Sequence, residues 1–444
     1  MLPAKTGLFG LVCMLLCVWS VGSTRYIIRD LLPINGWLSV SEAYSMNDLG
    51  QAVGQSIAHA PPVSTFHAAM WSKGEIIDLA PGRPWQSCAH DINNEEQVVG
   101  ESVDPIVRVG HAILWDDSGM HDLGTLGGWG SCAFAINDGG EVVGRADTAG
   151  WQTHAFIWEN GIMRDLGTLP GANGSIALDI NGFGWAVGQS SFFGRQRACL
   201  WRDGRIEDLG TLPGDVQSTA VCVNDRGQIL GGSSDTRGIY RTFLWEDGVM
   251  HDLGQIPGAA MNDVGQFVGR ATIPGLGQVH AVLWQDGVLT DLGSLGDSSV
   301  ACSINKAGLI VGETRPAPHW GNMHACLWIP LITVQVDVKP GDSENSINPR
   351  SKGVTPVAIM STDEFEISAL DPSSVVFAGT SPICWAFEDV DSDGDQDVVL
   401  FFRTEALIVA EGDTEVGLTG KACDGREIEG TDSIKIVGRA KPTE

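Results

Sequence analysis

One sentence, written over and over, constrains this chain more than any other feature. "THAFIWENGIMRDLGTLPG", beginning at Thr153, has near-copies in "GHAILWDDSGMHDLGTLGG", "RACLWRDGRIEDLGTLPG", "RTFLWEDGVMHDLGQIPG" and "VHAVLWQDGVLTDLGSLG". Tryptophans recur at Trp71, Trp115, Trp158, Trp201, Trp245, Trp284 and Trp328, spaced 44, 43, 43, 44, 39 and 44 residues. Out of phase with them stand Asn47, Asn93, Asn137, Asn181, Asn224, Asn262 and Asn305. Seven residues after each asparagine is a glycine, from Gly54 to Gly312. Four before it is an alanine (Ala43, Ala89, Ala133, Ala177, Ala220, Ala301), with Gly258 in the shortened copy. A fixed period of this length marks an array of one supersecondary unit, each too small to bury its apolar face alone.

A single copy breaks into four strands. "SCAFAIN" turns through "DGG" into "EVVGRA", and "HAFIW" turns through "ENG" into "IMRDLG". Four short strands per repeat, without helical periodicity, match the spacing of a propeller blade. The recurrent alanine suits the innermost strand, where blades converge. "DL" pairs begin at Asp78, Asp122, Asp165, Asp208, Asp252 and Asp291, but none follows Trp328, where Pro330 intervenes. The missing strand stands at the other end, as "YIIRDL" ending in Asp30 and Leu31. The spacing therefore predicts an all-β chain. A seven-bladed β-propeller over 24–330 is closed by the N-terminal strand, so no sheet edge stays open, and a C-terminal β-sandwich follows over 331–444.

"HAFIW", "HAILW" and "HAVLW" carry a resemblance to the HAF-type extracellular repeat of secreted bacterial proteins, over Tyr26 to Trp328. The resemblance implies export and a propeller-like fold, and no settled activity. Arg197 and Arg241 depart from its histidine, and the sixth copy is short.

Each repeat tryptophan ends a strand before a tight turn, which reads as core: burying an indole is worth about 4–6 kcal/mol as an upper figure. Four residues before it stands a base: His67, His111, His154, Arg197, Arg241, His280 or His324. One per blade spaces these around a ring instead of gathering them on one metal. Each faces its own blade's aspartate across a hairpin, a strand staple that resembles the logic of WD-repeat blades. No G-x-S-x-G, H-E-x-x-H or phosphate loop is present, and "NGFG" at Asn181 is a hairpin turn.

A formal charge of -28 disfavours nucleic acid and anionic membranes as partners. The N-terminus reads as a signal peptide over 1–23: Lys5, an apolar run from Leu8 to Val21, and small residues at "VGST". The expectation is a secreted or cell-surface protein without a membrane span. Of ten cysteines, Cys13 and Cys17 fall in that leader. Cys384 and Cys423 could pair, whereas Cys199 and Cys326 occupy a slot filled elsewhere by Ala69, Ile113, Phe156, Phe243 or Val282, so they read as buried thiols.

Short turns share one face of such a ring, and variable loops share the other. The loop-rich face holds the aromatics that the repeat leaves unexplained. Trp37, Trp85 and Trp129 lie in interblade linkers; Trp151, Phe192, Phe193 and Trp320 lie in second-to-third-strand loops. These are the candidates for binding an extracellular glycan or protein. Two other readings stay open: a polysaccharide-active hydrolase or lyase using carboxylates on that face, and a structural envelope component.

From Thr333 the period vanishes. "VDVKPGDSENSINPRSKG" and "IEGTDSIKIVG" resemble a module found at the ends of other secreted bacterial proteins, which implies an accessory role. Within it, "EDVDSDGDQDVVLFF" places Asp389, Asp391, Asp393 and Asp397 at relative positions 1, 3, 5 and 9. Gly394 allows the sharp turn, and Asp395 stands where a backbone carbonyl normally serves. Alternating oxygens around a hard cation make calcium, Ca2+, the expected cofactor. Leu400 replaces the glutamate that an EF-hand needs, so the loop resembles the calcium loop of FG-GAP-type repeats.

Overall fold

A computed structural model describes residues 25–35, 39–60, 63–83, 85–103, 109–316, 322–362 and 365–437, without the side chains of 59, 60, 63 and 64. The expected signal segment, 1–23, lies outside the described residues. Among them there is no α-helix, only the single 3-10 turns Ile367–Ala369 and Thr404–Ala406.

Six four-stranded antiparallel sheets follow one another along the chain, in the arrangement of a β-propeller. The first comprises Ser41–Met46, Ala52–Ala60, Val63–Ser72 and Glu75–Asp78, paired in chain order. The others span 86–122, 127–167, 174–210, 217–254 and 258–291. A further sheet sets Gly296–Ile304, Ile310–Pro316 and His324–Thr333 beside Arg25–Asp30, in register from Arg25↔Leu331 to Asp30↔Cys326. Neighbouring sheets share their cores. Val187 and Leu200 of one pack with Ala220, Ile229 and Trp245 of the next. Ala43 and Trp71 of the first pack with Val311, Ala325 and Ile329 of the last.

The repeat residues explain the local geometry. In every inner strand the register slips just after the alanine position, as between Ala89 and Asp91. The bulge drives the inner carbonyl against the second strand. A methyl group on Gly54 would lie 1.9 Å from the Glu42 carbonyl oxygen, and one on Gly100 would lie 2.0 Å from that of Cys88. Only glycine fits there. Trp71, Trp115, Trp201, Trp245 and Trp328 are buried, whereas Trp158 and Trp284 are half-buried against neighbouring clusters. Cys199 and Cys326 are buried free thiols; Cys384 and Cys423 are exposed and free.

The strand His324–Thr333 runs through Pro330 into the C-terminal region. On one side it pairs with Ile310–Pro316 as far as Trp328, then from Leu331 with Glu427–Ser433 in parallel. Pro330, which has no N–H to offer, falls in the gap between these two partners. The sheet continues through Glu415–Ala422 to Leu370–Phe377. A second sheet is built from Val336–Val338, Val354–Ile359, Asp397–Arg403 and Cys384–Glu388. Both contribute to one core cluster: Val338, Ile359, Leu400 and Phe402 from one sheet, Phe377, Leu418 and Ile428 from the other. Arg29 Nη2 reaches Glu427 Oε1 at 2.9 Å, and Arg25 pairs with Glu429.

The seven base–aspartate staples all form. His67–Asp78 (3.0 Å), His111–Asp122 (2.7 Å), His154–Asp165 (2.8 Å), Arg197–Asp208 (3.1 Å) and His280–Asp291 (2.9 Å) each join the third and fourth strands of one sheet. Arg241 does the same with Asp252. The last pair, His324 Nδ1 to Asp30 Oδ2 at 2.8 Å, joins residues 294 apart. Because its side chains are 2% and 12% exposed, this pair is shielded from water and salt. Replacing His324 or Asp30 by alanine should cost stability, and the double variant should cost less than the sum by roughly 0.5–3 kcal/mol. Urea unfolding of the four proteins measures this, and strict additivity would deny the staple.

Candidate functional site

A concavity opens where the short turns of the sheets meet. Asn47 shows how it is built. Its Oδ1 accepts from the amides of Leu49 (3.1 Å) and Gln51 (3.0 Å), while its Nδ2 donates to Gln51 Oε1 (2.7 Å) and to the backbone oxygen of Asn93 (3.1 Å). All four hydrogen-bonding valences of the amide are filled although the residue is only 4% exposed. Gly50, at φ +76, closes the turn. Asn93, Asn137, Asn181, Asn224 and Asn262 repeat the donation to the next asparagine's oxygen, at 3.0–3.2 Å. Asn305 then donates to Asn47 at 3.2 Å, 258 residues earlier.

A second tier lies beside this ring. The amide of Asp48 donates to Asn94 Oδ1, that of Asn94 to Asp138, that of Gly182 to Asp225, that of Asp225 to Asp263, and that of Lys306 back to Asp48. The resulting well, of about 230 Å³, is acidic. Its one lysine, Lys306, sits 3.4 Å from Asp48 and 3.8 Å from Asp263, and Asp48 above all raises the ammonium's affinity for its proton. Asp91 and Asp179 also line the well; Asp91 ties its own sheet to both neighbours, and Asp179 ties its own to the next. Asp91 accepts from Ser45 Oγ and the Ile136 amide; Asp179 accepts from the Val223 amide. Both are half-buried in the wall of the well. Burial pushes Asp91 up to about 6 and Asp179 up to about 7, against the amide hydrogen bonds that pull them down. The recurrent asparagine was visible in the sequence, but its role was not. Asp91 and Asp179 carried no signal, because other copies hold Ser45, Ala135, Cys222, Ala260 or Ser303 there.

The structure brings two of the expected aromatics together, although Trp129 lies not in a linker but in the irregular start of the strand Gly127–Ile136. Trp129 and Trp151 have ring centroids 5.7 Å apart, tilted 38°, and are 63% and 77% exposed. Trp151 sits in a tight turn closed by its amide on Thr148 O, with φ at +64, a conformation that costs a non-glycine residue energy. Trp129 is anchored through its carbonyl oxygen, 3.2 Å from His111 Nε2. Phe193 stands 93% exposed, whereas its neighbour Phe192 packs into a core cluster. Trp85 is half-buried with the Arg83 guanidinium 5.5 Å over its ring. Trp37 and Trp320 lie outside the described residues.

In the C-terminal region, Asp389, Asp391 and Asp397 offer carboxylate oxygens that all lie within 4.8 Å of one another. Asp397 is buried and anchored by the amides of Ser361 and Val390, both at 2.8 Å. Asp393 and Asp395 stay outside this group: Asp393 Oδ1 accepts the Asp395 amide at 2.8 Å, folding the loop through Gly394 at φ +101. The Asp393 amide pulls the Asp391 carboxyl down, but lost hydration and the charges of Asp393, Asp397 and Asp389 outweigh it and raise it. Three converging carboxylates suit a hard cation.

No protein-family model matches the chain, and no curated protein does. Solved structures similar to it include the β-propeller domain of the Trilobed protease from Pyrococcus furiosus (9% identity, TM-score 0.46, 65% of this chain and 93% of that one). TolB from Acinetobacter baumannii is another (12%, TM-score 0.37, 63% and 79%), as is a gluconolactonase from Xanthomonas campestris (10%, TM-score 0.34, 69% and 90%). Among the described residues no helix is long and apolar enough to cross a membrane.

The raised carboxyls make stability depend on pH with a definite sign. A carboxyl that keeps its proton longer in the folded chain binds protons the unfolded chain has released. Stability should therefore fall as pH climbs from the ordinary carboxyl value, about 4, through about 7, and level off above. Asp179→Asn should remove much of that decline. Urea midpoints of both proteins at about pH 5 and about pH 8 test this, and parallel profiles would sink it.

Proposed function

We propose that the chain is a secreted, non-enzymatic binding scaffold that recognises an extracellular glycan through the Trp129–Trp151 pair. The supporting observation is that two large indoles stand side by side, mostly in water, one of them on an unfavourable backbone. Exposing so much apolar surface, and holding Trp151 at positive φ for about 1–3 kcal/mol, runs against folding stability. Local strain of this kind is retained where a surface has a task. Indole faces stack on the C–H faces of sugar rings, while their N–H edges remain free to bond hydroxyls. Phe193 extends the same set of loops.

In this reading the seven sheets are blades of a closed ring over 24–330, sealed by the strand Arg25–Asp30, by the His324–Asp30 staple and by the Asn305–Asn47 bond. Residues 331–444 form a β-sandwich, its two sheets wrapped round one core. The rigid ring holds the aromatic loops still, which lowers the entropy lost on binding. A glycan array followed by titration of the best ligand tests the proposal. Trp129→Ala and Trp151→Ala should each weaken binding roughly tenfold or more, about 1.4 kcal/mol. Trp85→Ala, already covered by Arg83, should matter less. Release of new reducing ends would establish the enzyme reading instead. Absence of binding and turnover alike would leave the structural one.

Calcium completes the proposal, held by Asp389, Asp391 and Asp397 with Asp393 and Asp395 at the loop's outer turn. An ion that binds only the folded chain stabilises it by about 2.7 kcal/mol at a hundredfold excess over Kd, and less at the weak affinities usual for extracellular modules. A chelator should lower the melting temperature, and Asp391→Ala with Asp393→Ala should abolish the response. Melts that coincide with and without chelator would reduce the loop to a solvated turn.

A further inference from the structure

A second group of donors lies in the centre of the ring, apart from the acidic loop and the aromatic face. The inner-strand bulge in Gln86–Ile92 leaves His90 without a cross-strand partner. Its imidazole is gripped instead by aromatics: it stacks on Phe134 (5.5 Å, 25°) and meets Tyr44 at 6.4 Å. Cys132, one sheet further on and 3% exposed, places Sγ 3.7 Å from His90 Nδ1. Glu101 comes from Val98–Val103, the strand beside His90's own. One donor atom from each of His90, Glu101 and Cys132 lies within 4.8 Å of the other two. Cys88 pairs directly with Glu101 and therefore shares its face of the sheet.

The repeat supplies its own comparison. The equivalent three positions hold Tyr44, Gln55 and Cys88 one blade earlier, and Phe134, Arg145 and Ile176 one blade later. Further round they hold Leu178, Gln189 and Thr219, then Val221, Gly232 and Pro257, then Ala259, Arg270 and Val300. The last niche has Cys302, Glu313 and Glu42, without an imidazole. The blade architecture thus has no need of a histidine, a thiol and a carboxylate at these places, and only one niche combines them.

We propose that His90, Glu101 and Cys132 bind a borderline transition-metal ion of the zinc class, bridging two neighbouring blades. Nitrogen and sulfur donors select zinc over calcium or magnesium, which take oxygen. With zinc–sulfur near ~2.3 Å and zinc–nitrogen near ~2.0 Å, two ligands of a tetrahedral ion sit roughly 3.5 Å apart, close to the observed separation of Sγ and Nδ1. His90 Nδ1 is also 2.8 Å from Ala133 O, so coordination through it exchanges that hydrogen bond for a coordinate one. Three protein ligands leave a fourth position for water or for Cys88. His90 and Glu101 are half-buried, which gives an ion a way in.

The test uses the full chain with thiols reduced, stripped of metal by chelator and then held in calcium, so that the Asp389 loop is not competing. Zinc titrated against a chromophoric chelator should bind at one equivalent per chain. His90→Gln and Cys132→Ser should each weaken it roughly tenfold or more, while the Cys384→Ser, Cys423→Ser double variant binds as the parent does. Cobalt in place of zinc should show a thiolate-to-metal charge-transfer band that His90→Gln diminishes. Should Cys132→Ser fail to fold, the cobalt band of the parent and of His90→Gln decides. Absence of the band, or zinc binding indifferent to both substitutions, overturns the proposal. Because calcium and glycan are not read out, failure here leaves the glycan reading intact, and the reverse holds too.

Discussion

Everything in this structure hangs on an amide that has no choice of chemistry. Each ring asparagine accepts one or two backbone amides from its own turn and donates to the backbone of the next sheet, all while buried. An aspartate has the right shape but cannot donate, and would bury a charge; an alanine would leave several polar groups unpaired at about 1–3 kcal/mol each. The local turn and the contact between neighbouring sheets are thus made by the same side chain. A turn formed wrongly misplaces the donor for its neighbour, so each blade checks the geometry of the next. In a repeat array, where nearest-neighbour contacts carry most of the cooperativity, this is a strong coupling.

Around that ring the other repeat residues fall into place by size and reach. The alanines let inner strands converge, the glycines accept the bulged carbonyls, and the base–aspartate pairs pin the outer strands. Asp30 belongs to the outermost strand of the last sheet although it lies near the start of the chain, so the N-terminal segment supplies what the final repeat lacks. The acidic well follows from the same construction. Its rim carboxylates are engaged in catching neighbouring backbone amides, which accounts for Asp48, Asp138, Asp225 and Asp263 without a ligand.

Much of this was legible in the sequence because it recurs. Period, strand count, staple pairs and five of the seven core tryptophans are readable from fixed spacings, since the same physical requirement is written in every copy; Trp158 and Trp284 are only half-buried. The asparagine was seen but not understood: its meaning lies in a contact some 44 residues away, and only the companion Gln51, Gln97, Gln228 or Gln266, four positions on, hints that the side chain is buried and bonded. What occurs once was harder to read. Trp129 and Trp151 read individually as loop aromatics, yet nothing in their spacing of 22 residues says that they touch. His90, Glu101 and Cys132 do not stand out in the sequence, because the first and last sit on different blades. Position around a ring is invisible in a linear text unless the period is used to align it. The run through Pro330 escaped for another reason: a proline that normally stops a strand is harmless where the hydrogen-bonding partner changes.

That run has a mechanical consequence. Arg25–Asp30 lies along one side of His324–Thr333, and the C-terminal region grows from the other side of the same strand at Leu331–Thr333. Arg25 and Arg29 even reach across to Glu429 and Glu427. Tension applied between the chain's N-terminal strand and its last domain would therefore pass through a single sheet, from one strand to its immediate neighbours. The other six sheets, including the one that carries Trp129 and Trp151, would remain slack. A chain pulled between these two ends would strain its seam while the sheet that carries Trp129 and Trp151 keeps its shape.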